Sequence, residues 1–194
     1  MLLDKSSGQD LCFDVSNLTT DFFSKKSNLV LCKDVFDKVK LLNYLFTNTD
    51  DQIILFDTDL LMTGYFQSQM IPKRENLMVF SPDESTWKQH LAEIIAKFSD
   101  KRCLIVIDSL NGAYNLFEGL EAIRFVDSCI MLLLSMIKKN NSLLIITVSA
   151  KQNKEKNWIL SPGGKEIMNS EKEHHYILSN QGNKLVIAPF SNKN

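Results

Sequence analysis

The residues from Leu29 to Leu42, LVLCKDVFDKVKLL, place a lysine where a strand-like run gives way to a helical one. In a phosphate-binding loop, glycines let backbone N–H groups curl round the phosphates, a lysine neutralises them and a hydroxyl holds magnesium. The pattern G-x-x-x-x-G-K-[ST] falls on Cys32 to Val39, and of its specified positions only Lys38 is kept. Cys32 and Asp37 stand where glycines belong, and Val39 stands where the hydroxyl belongs. Asp37 opposes a polyanion, because like charges ~4 Å apart at an effective dielectric of ~20 repel by about 4 kcal/mol. Taken alone, Lys38 is a solvated residue in the first turn of a helix.

Two further acid groups could carry chemistry. "CLIVID" is an apolar strand that delivers Asp108 at its carboxyl end, and "IILFDTD" delivers Asp57 and Asp59 in the same way. From the residues alone these are acids capping strand ends. A third candidate is the segment from Ala150 to Pro162, AKQNKEKNWILSP, which sets Lys151, Lys154 and Lys156 against the single acid Glu155 and adds Trp158. Cations for phosphates beside an aromatic platform for a base make a single-strand nucleic-acid surface; the plainer alternative is a solvated loop whose Trp158 folds back on the core or onto a partner subunit. His174 and His175 are adjacent on a strand-like run, so they face opposite ways and form no single metal site.

The elements that must position these groups alternate in type. Apolar runs begin at Asn28, Gln52, Asn76, Cys103 and Ser142, rich in Ile, Val and Leu without polar alternation, as strands buried on both faces require. Between them, Asp34 to Phe46, Asp83 to Phe98 and Glu118 to Lys139 repeat apolar residues at helical spacing. Ser81-Pro82-Asp83-Glu84 predicts the start of the second helix, and Lys138 and Lys139 suit the end of the third. Strand, helix, strand in repetition predicts crossover units and a mostly parallel sheet with ligand sites at the carboxyl ends of its strands. Two closing runs, from His174 and Asn183, flank Gln181-Gly182 and predict a hairpin. The first 27 residues form an N-terminal edge segment, with "LCFDVSNL" at most an edge strand, and residues 28–194 form the core domain.

With 194 residues, 44% of them hydrophobic, the chain can bury a substantial core. A formal charge of -1 gives no global attraction to nucleic acid or anionic membrane, so any polyanion contact is local. Cys12, Cys32, Cys103 and Cys129 are scattered without a C-x-x-C pair, and the apolar neighbours of the last three predict buried thiols, in a reducing compartment, cytoplasmic or nuclear. The N-terminus shows no secretory pattern, and no apolar run is long enough to span a membrane.

Several motifs, in order, resemble the RecA-type superfamily of recombinases and their paralogues, KaiC-like proteins and Elongator accessory subunits. "RCLIVIDSL" resembles a Walker B strand; "IILFDTD" resembles the element whose last acid, here Asp59, activates the attacking water. "LLIITVSAKQ" resembles the strand that ends in a sensor, with Ser149 in the sensor region but no Asn-Gln pair, and "SPGGKEIM" resembles a Pro-x-Gly-Gly turn before a final hairpin. The likeness covers roughly Asn28 to Phe190. It implies an α/β fold, a RecA-like P-loop NTPase core whose mostly parallel twisted sheet is flanked by helices and closed by a β-hairpin. It implies that Cys32, Asp37, Lys38, Val39, Asp59, Asp108 and Ser149 are remnants of a nucleotide pocket. With the glycines and hydroxyl gone, it implies no cofactor and a catalytically weak or inactive paralogue. Such a module works with other RecA-like subunits and single-stranded nucleic acid, through Lys151, Lys154, Lys156 and Trp158. The alternatives are an Elongator-like or KaiC-like scaffold, and an ATPase with a rewritten loop in which Asp108 binds magnesium, Asp59 orients water and Lys38 contacts ATP.

Overall fold

A computed structural model describes residues 20–117, 121–154, 158–160, 174–181 and 184–190. In chain order the elements are α1 (Thr20–Ser24), β1 (Ser27–Cys32), α2 (Val35–Thr47), β2 (Gln52–Asp57), α3 (Leu61–Gln67), β3 (Leu77–Phe80) and α4 (Trp87–Phe98). They continue with β4 (Cys103–Asp108), α5 (Leu110–Asn115), α6 (Glu121–Asn140), β5 (Leu143–Gln152), β6 (Trp158–Leu160), β7 (His174–Gln181) and β8 (Lys184–Pro189).

The strands lie in the order β3-β2-β4-β5-β1-β7-β8, with β6 added antiparallel to β5. From β3 to β7 every pairing is parallel, and β8 returns antiparallel on β7 as the closing hairpin. Every residue of β1 and β4 is buried, which explains runs without polar alternation. The two-residue period instead divides each strand between two cores. Leu29, Leu31, Ile54, Phe56, Ile105 and Ile107 meet Trp87, Leu91 and Ile94 of α4 and Val126, Leu133 and Ile137 of α6. Val30, Cys32, Ile53, Leu55, Leu104 and Val106 meet Leu41, Leu42, Leu45 and Phe46 of α2 on the opposite face. Each such aliphatic side chain contributes roughly 1.5–3 kcal/mol by leaving water. Phe22 of α1 joins the second core, against Tyr176 of β7, and its carbonyl accepts from Asn28 Nδ2 at 2.7 Å.

The helices differ from the sequence expectation in two ways. Regular helix α4 starts at Trp87, because Asp83 first closes a turn, accepting from Thr86 N–H at 2.8 Å and from the hydroxyls of Ser85 and Thr86. Those bonds hold the Asp83 carboxyl down at about 2. The third helical stretch is α6, and the two short helices α3 and α5 had no apolar period of their own to betray them. Residues 1–19, which include "LCFDVSNL" and Cys12, lie outside the described residues. Cys32, Cys103 and Cys129 are buried free thiols, His174 is exposed while His175 is buried, and no described helix is long and apolar enough to cross a membrane.

β1 is followed in the chain by β2, which lies beyond β5 and β4 in the sheet, whereas the chain leaving β5 continues on the other side through β7. The carboxyl ends of β1, β5, β4 and β2 therefore converge at a topological switch point, where an open α/β sheet leaves a crevice.

Candidate functional site

Only Lys33 and Asp34 separate β1 from α2. Asp34 is the N-cap: its backbone is extended and its Oδ1 accepts from the N–H of Phe36 at 2.8 Å and of Asp37 at 3.1 Å. The positions from Val35 to Val39 are thus helix, and two of the first-turn backbone donors that a bound phosphate would use are occupied by the chain's own carboxylate.

Lys38 sits in the first turn of α2, its N–H bonded to the Asp34 carbonyl at 3.2 Å. Its ammonium lies 2.7 Å from Asp108 Oδ1 and 3.3 Å from Asp59 Oδ2. Lys38 is 2% exposed and Asp108 fully buried. The expectation of a solvated Lys38 is therefore wrong. The first turn of α2 packs over the switch point, so a side chain leaving it meets the carboxyl ends of β4 and β2 instead of water. Thr147 of β5 donates to Asp108 Oδ1, and Ser109 Oγ donates to Asp59 Oδ2 at 2.7 Å. Asp108 Oδ2, in contrast, has no partner among the described residues. Burial disfavours the ammonium of Lys38, but Asp108 and then Asp59 more than offset it and hold the amine above the ordinary lysine range. Burial pushes Asp108 up, with Lys38 and Thr147 pulling it back. Cys32, beneath the pair, is pushed up to about 12, chiefly by burial and then by the Asp108 charge.

The loops after β2 and β4 are stitched together. Thr58 N–H donates to the Asp108 carbonyl at 2.7 Å, Thr58 Oγ1 donates to the Ser109 carbonyl at 2.8 Å and accepts from Ser109 N–H at 2.8 Å. Ser109 Oγ also caps α5 by accepting from Gly112 N–H at 3.2 Å. Gly112 is where α5 passes closest to this knot, since a Cβ there would collide with Asp59 Oδ1 and Thr58 Oγ1. Asn111 pairs with the Ser149 backbone through both amide atoms, at 2.9 and 3.1 Å, and ties α5 to β5.

The residues expected at a nucleotide pocket thus divide. Lys38, Asp59 and Asp108 come together, with Cys32 beneath them. Asp57 does not join: it caps α3, accepting from Thr63 N–H at 2.6 Å. Asp37 turns aside to Lys40 and to Asn180 of β7, at 3.4 and 3.2 Å. Val39 is buried in the core under α2. Ser149 lines, with Cys32, Lys33, Asp34, Val35, Lys38, Ala150 and Lys151, a cleft of about 280 Å³. These groups as they stand do not fit a magnesium triphosphate: the helix donors are capped, the lysine is neutralised by two carboxylates, and an apolar side chain holds the hydroxyl position. Ser109, Asn111 and Gly112 escaped the sequence reading, since a small polar residue after a strand is also ordinary turn chemistry.

The basic segment differs from its expectation in two ways. It is not all loop, because Ala150 to Gln152 extend β5 and pair in antiparallel register with Leu160 to Trp158 of β6. Trp158 offers no platform for a base: it is 4% exposed, part of the core, and packed edge-on against Phe190 at 6.0 Å. The folded-back alternative is the observed one. Lys151 and Lys154 are exposed, while Lys156 and the segment SPGGKEIM lie outside the described residues. Lys33, passed over as an unspecified position of the loop template, places its ammonium 5.0 Å from the Trp158 ring centroid.

No protein-family model matches the chain, and no curated protein matches it. Among solved structures it is similar to one titled "Crystal structure of the RadB recombinase", with a TM-score of 0.52 and 14% identity over 84% of this chain and 80% of that one. At that identity the likeness establishes the fold, which is RecA-like, as the order of the sequence motifs implied.

Proposed function

We propose that this RecA-like chain is a binding and assembly module that does not hydrolyse ATP, joining another RecA-like subunit to single-stranded nucleic acid in a recombination or repair role. The observation that carries this reading is the 2.7 Å contact of Lys38 with Asp108 at a switch point whose helix donors are already capped by Asp34. A lysine held by two acids is a cross-link between α2, β4 and the β2 loop, and it leaves no net positive charge for a phosphate. The fold likeness to a recombinase supports the recombination setting, and exposed Lys151 and Lys154 support the polyanion.

Calorimetry with magnesium and ATP tests the first half. No binding tighter than about 1 mM is expected, which corresponds to about 4 kcal/mol. A micromolar dissociation constant that disappears in Asp108→Ala would overturn it. That result would favour the second reading, an ATPase with a rewritten loop, whose support is the cleft beside Lys38.

A further inference from the structure

Lys33 and Lys151 both line the cleft at the carboxyl ends of β1 and β5. Both are exposed, and among the described residues neither has an ion-pair partner. Lys33 is held by the face of Trp158. Among the described residues the one carboxylate lining the cleft is Asp34, whose Oδ1 accepts from two helix N–H groups. Phe36, next in the chain to Val35 of the cleft wall, is 67% exposed, a large aromatic side chain in water at the start of α2. Exposed aromatic surface beside unpaired cations is the pairing that single strands require, the cations taking phosphates and the ring stacking on a base.

We propose that Lys33 and Lys151 grip the backbone of a single-stranded nucleic acid across the mouth of this cleft, with Phe36 as the stacking residue. Trp158 is then a positioning residue that fixes Lys33 through the cation–π contact. The proposal rests on the nucleic-acid half of the function above and moves the aromatic contact from β6 to α2.

Fluorescence anisotropy of a labelled single-stranded thymidine oligomer, titrated with the full chain at several salt concentrations, tests it. Both principal variants alter exposed side chains and should leave the fold intact. Lys33→Ala should flatten the log–log salt slope by about 0.7 and weaken binding about five-fold at about 0.1 M salt, the loss of one phosphate contact. Phe36→Ala should weaken binding by roughly 5- to 150-fold with the slope unchanged, because stacking releases no counterions. Trp158→Leu should weaken the parent, yet add nothing to Lys33→Ala. Parental behaviour of either Lys33→Ala or Phe36→Ala, in a chain that binds the oligomer, overturns this assignment and leaves the broader reading standing. Displacement of the oligomer by about 1 mM ATP assigns the lysines to a free nucleotide and also overturns it. No binding by the parent removes both readings.

Discussion

Replacing Lys38 by methionine removes a charge from between two carboxylates, one of them fully buried. At 2.7 Å and an effective dielectric of about 20, the attraction to Asp108 alone is about 6 kcal/mol. Part of that attraction offsets the cost of desolvating the pair, so the expected loss is smaller. Removing one partner of a buried pair costs about 3–5 kcal/mol, because the remaining charge is left without compensation. Asp108 is prone to that outcome, since Oδ2 has no partner among the described residues and Oδ1 would keep only Thr147. Lys38→Met should therefore lose about 3–5 kcal/mol in urea denaturation followed by the fluorescence of Trp87 and Trp158, both buried. Lys38→Met with Asp108→Asn should recover about 2 kcal/mol or more of the summed single losses, as a coupled pair does. The loss should also depend on pH. Asp108 titrates above its unfolded value already, and without Lys38 it titrates higher still. A folded value above the unfolded one stabilises at low pH, and that benefit disappears as pH rises through the folded value. The deficit of Lys38→Met should thus be smaller near pH 5 than near pH 8. In the parent, Lys38 titrates above its ordinary value, so its contribution is fully present at both and is lost only in strong alkali. A deficit under about 1 kcal/mol that does not vary with pH would refute the sealed-triad account.

The two described glycines within helices should respond in opposite directions. Gly112→Ala drives a methyl into Asp59 and Thr58, both tied by hydrogen bonds, and should cost about 1–3 kcal/mol, at roughly 2–4 °C of Tm per kcal/mol. Gly64→Ala meets nothing within 4 Å in the middle of α3 and should gain about 0.5–1 kcal/mol; thermal melts of the two variants compare them directly. Cys32, with its thiol pushed up to about 12, should be a thiolate in only about one molecule in ten thousand at pH 8. Mass-spectrometric mapping after brief alkylation should find Cys32 unmodified in the native chain and modified in urea, and rapid native labelling would contradict its burial beside Asp108.

The sheet was legible in the chain because strands covered on both faces must be apolar at every position, and NLVLC, QIILFD and CLIVID satisfy that with few alternatives. The order of those runs was enough to place Lys38 in the helix that follows β1, and Asp59 and Asp108 at or just beyond the carboxyl ends of β2 and β4. The apolar period began a helical stretch at Asp34, but did not show that the Asp34 carboxylate would cap that helix and take donors a phosphate needs. Whether Lys38 faces water or acid was beyond local pattern. It depends on the tilt of α2 over the switch point, and the two acids that receive its ammonium lie 21 and 70 positions further along the chain. Trp158 illustrates the same limit from the other side. Among lysines and polar residues it read either as a platform for a base or as a residue folded back on the core, and pairing of β6 with β5 decides it, turning it into the core against Phe190 and beneath Lys33. Residue type and period determine which segments bury, while the assignment of a charge to solvent or to a counter-charge is made by contacts between distant segments, which exist only once the sheet has assembled.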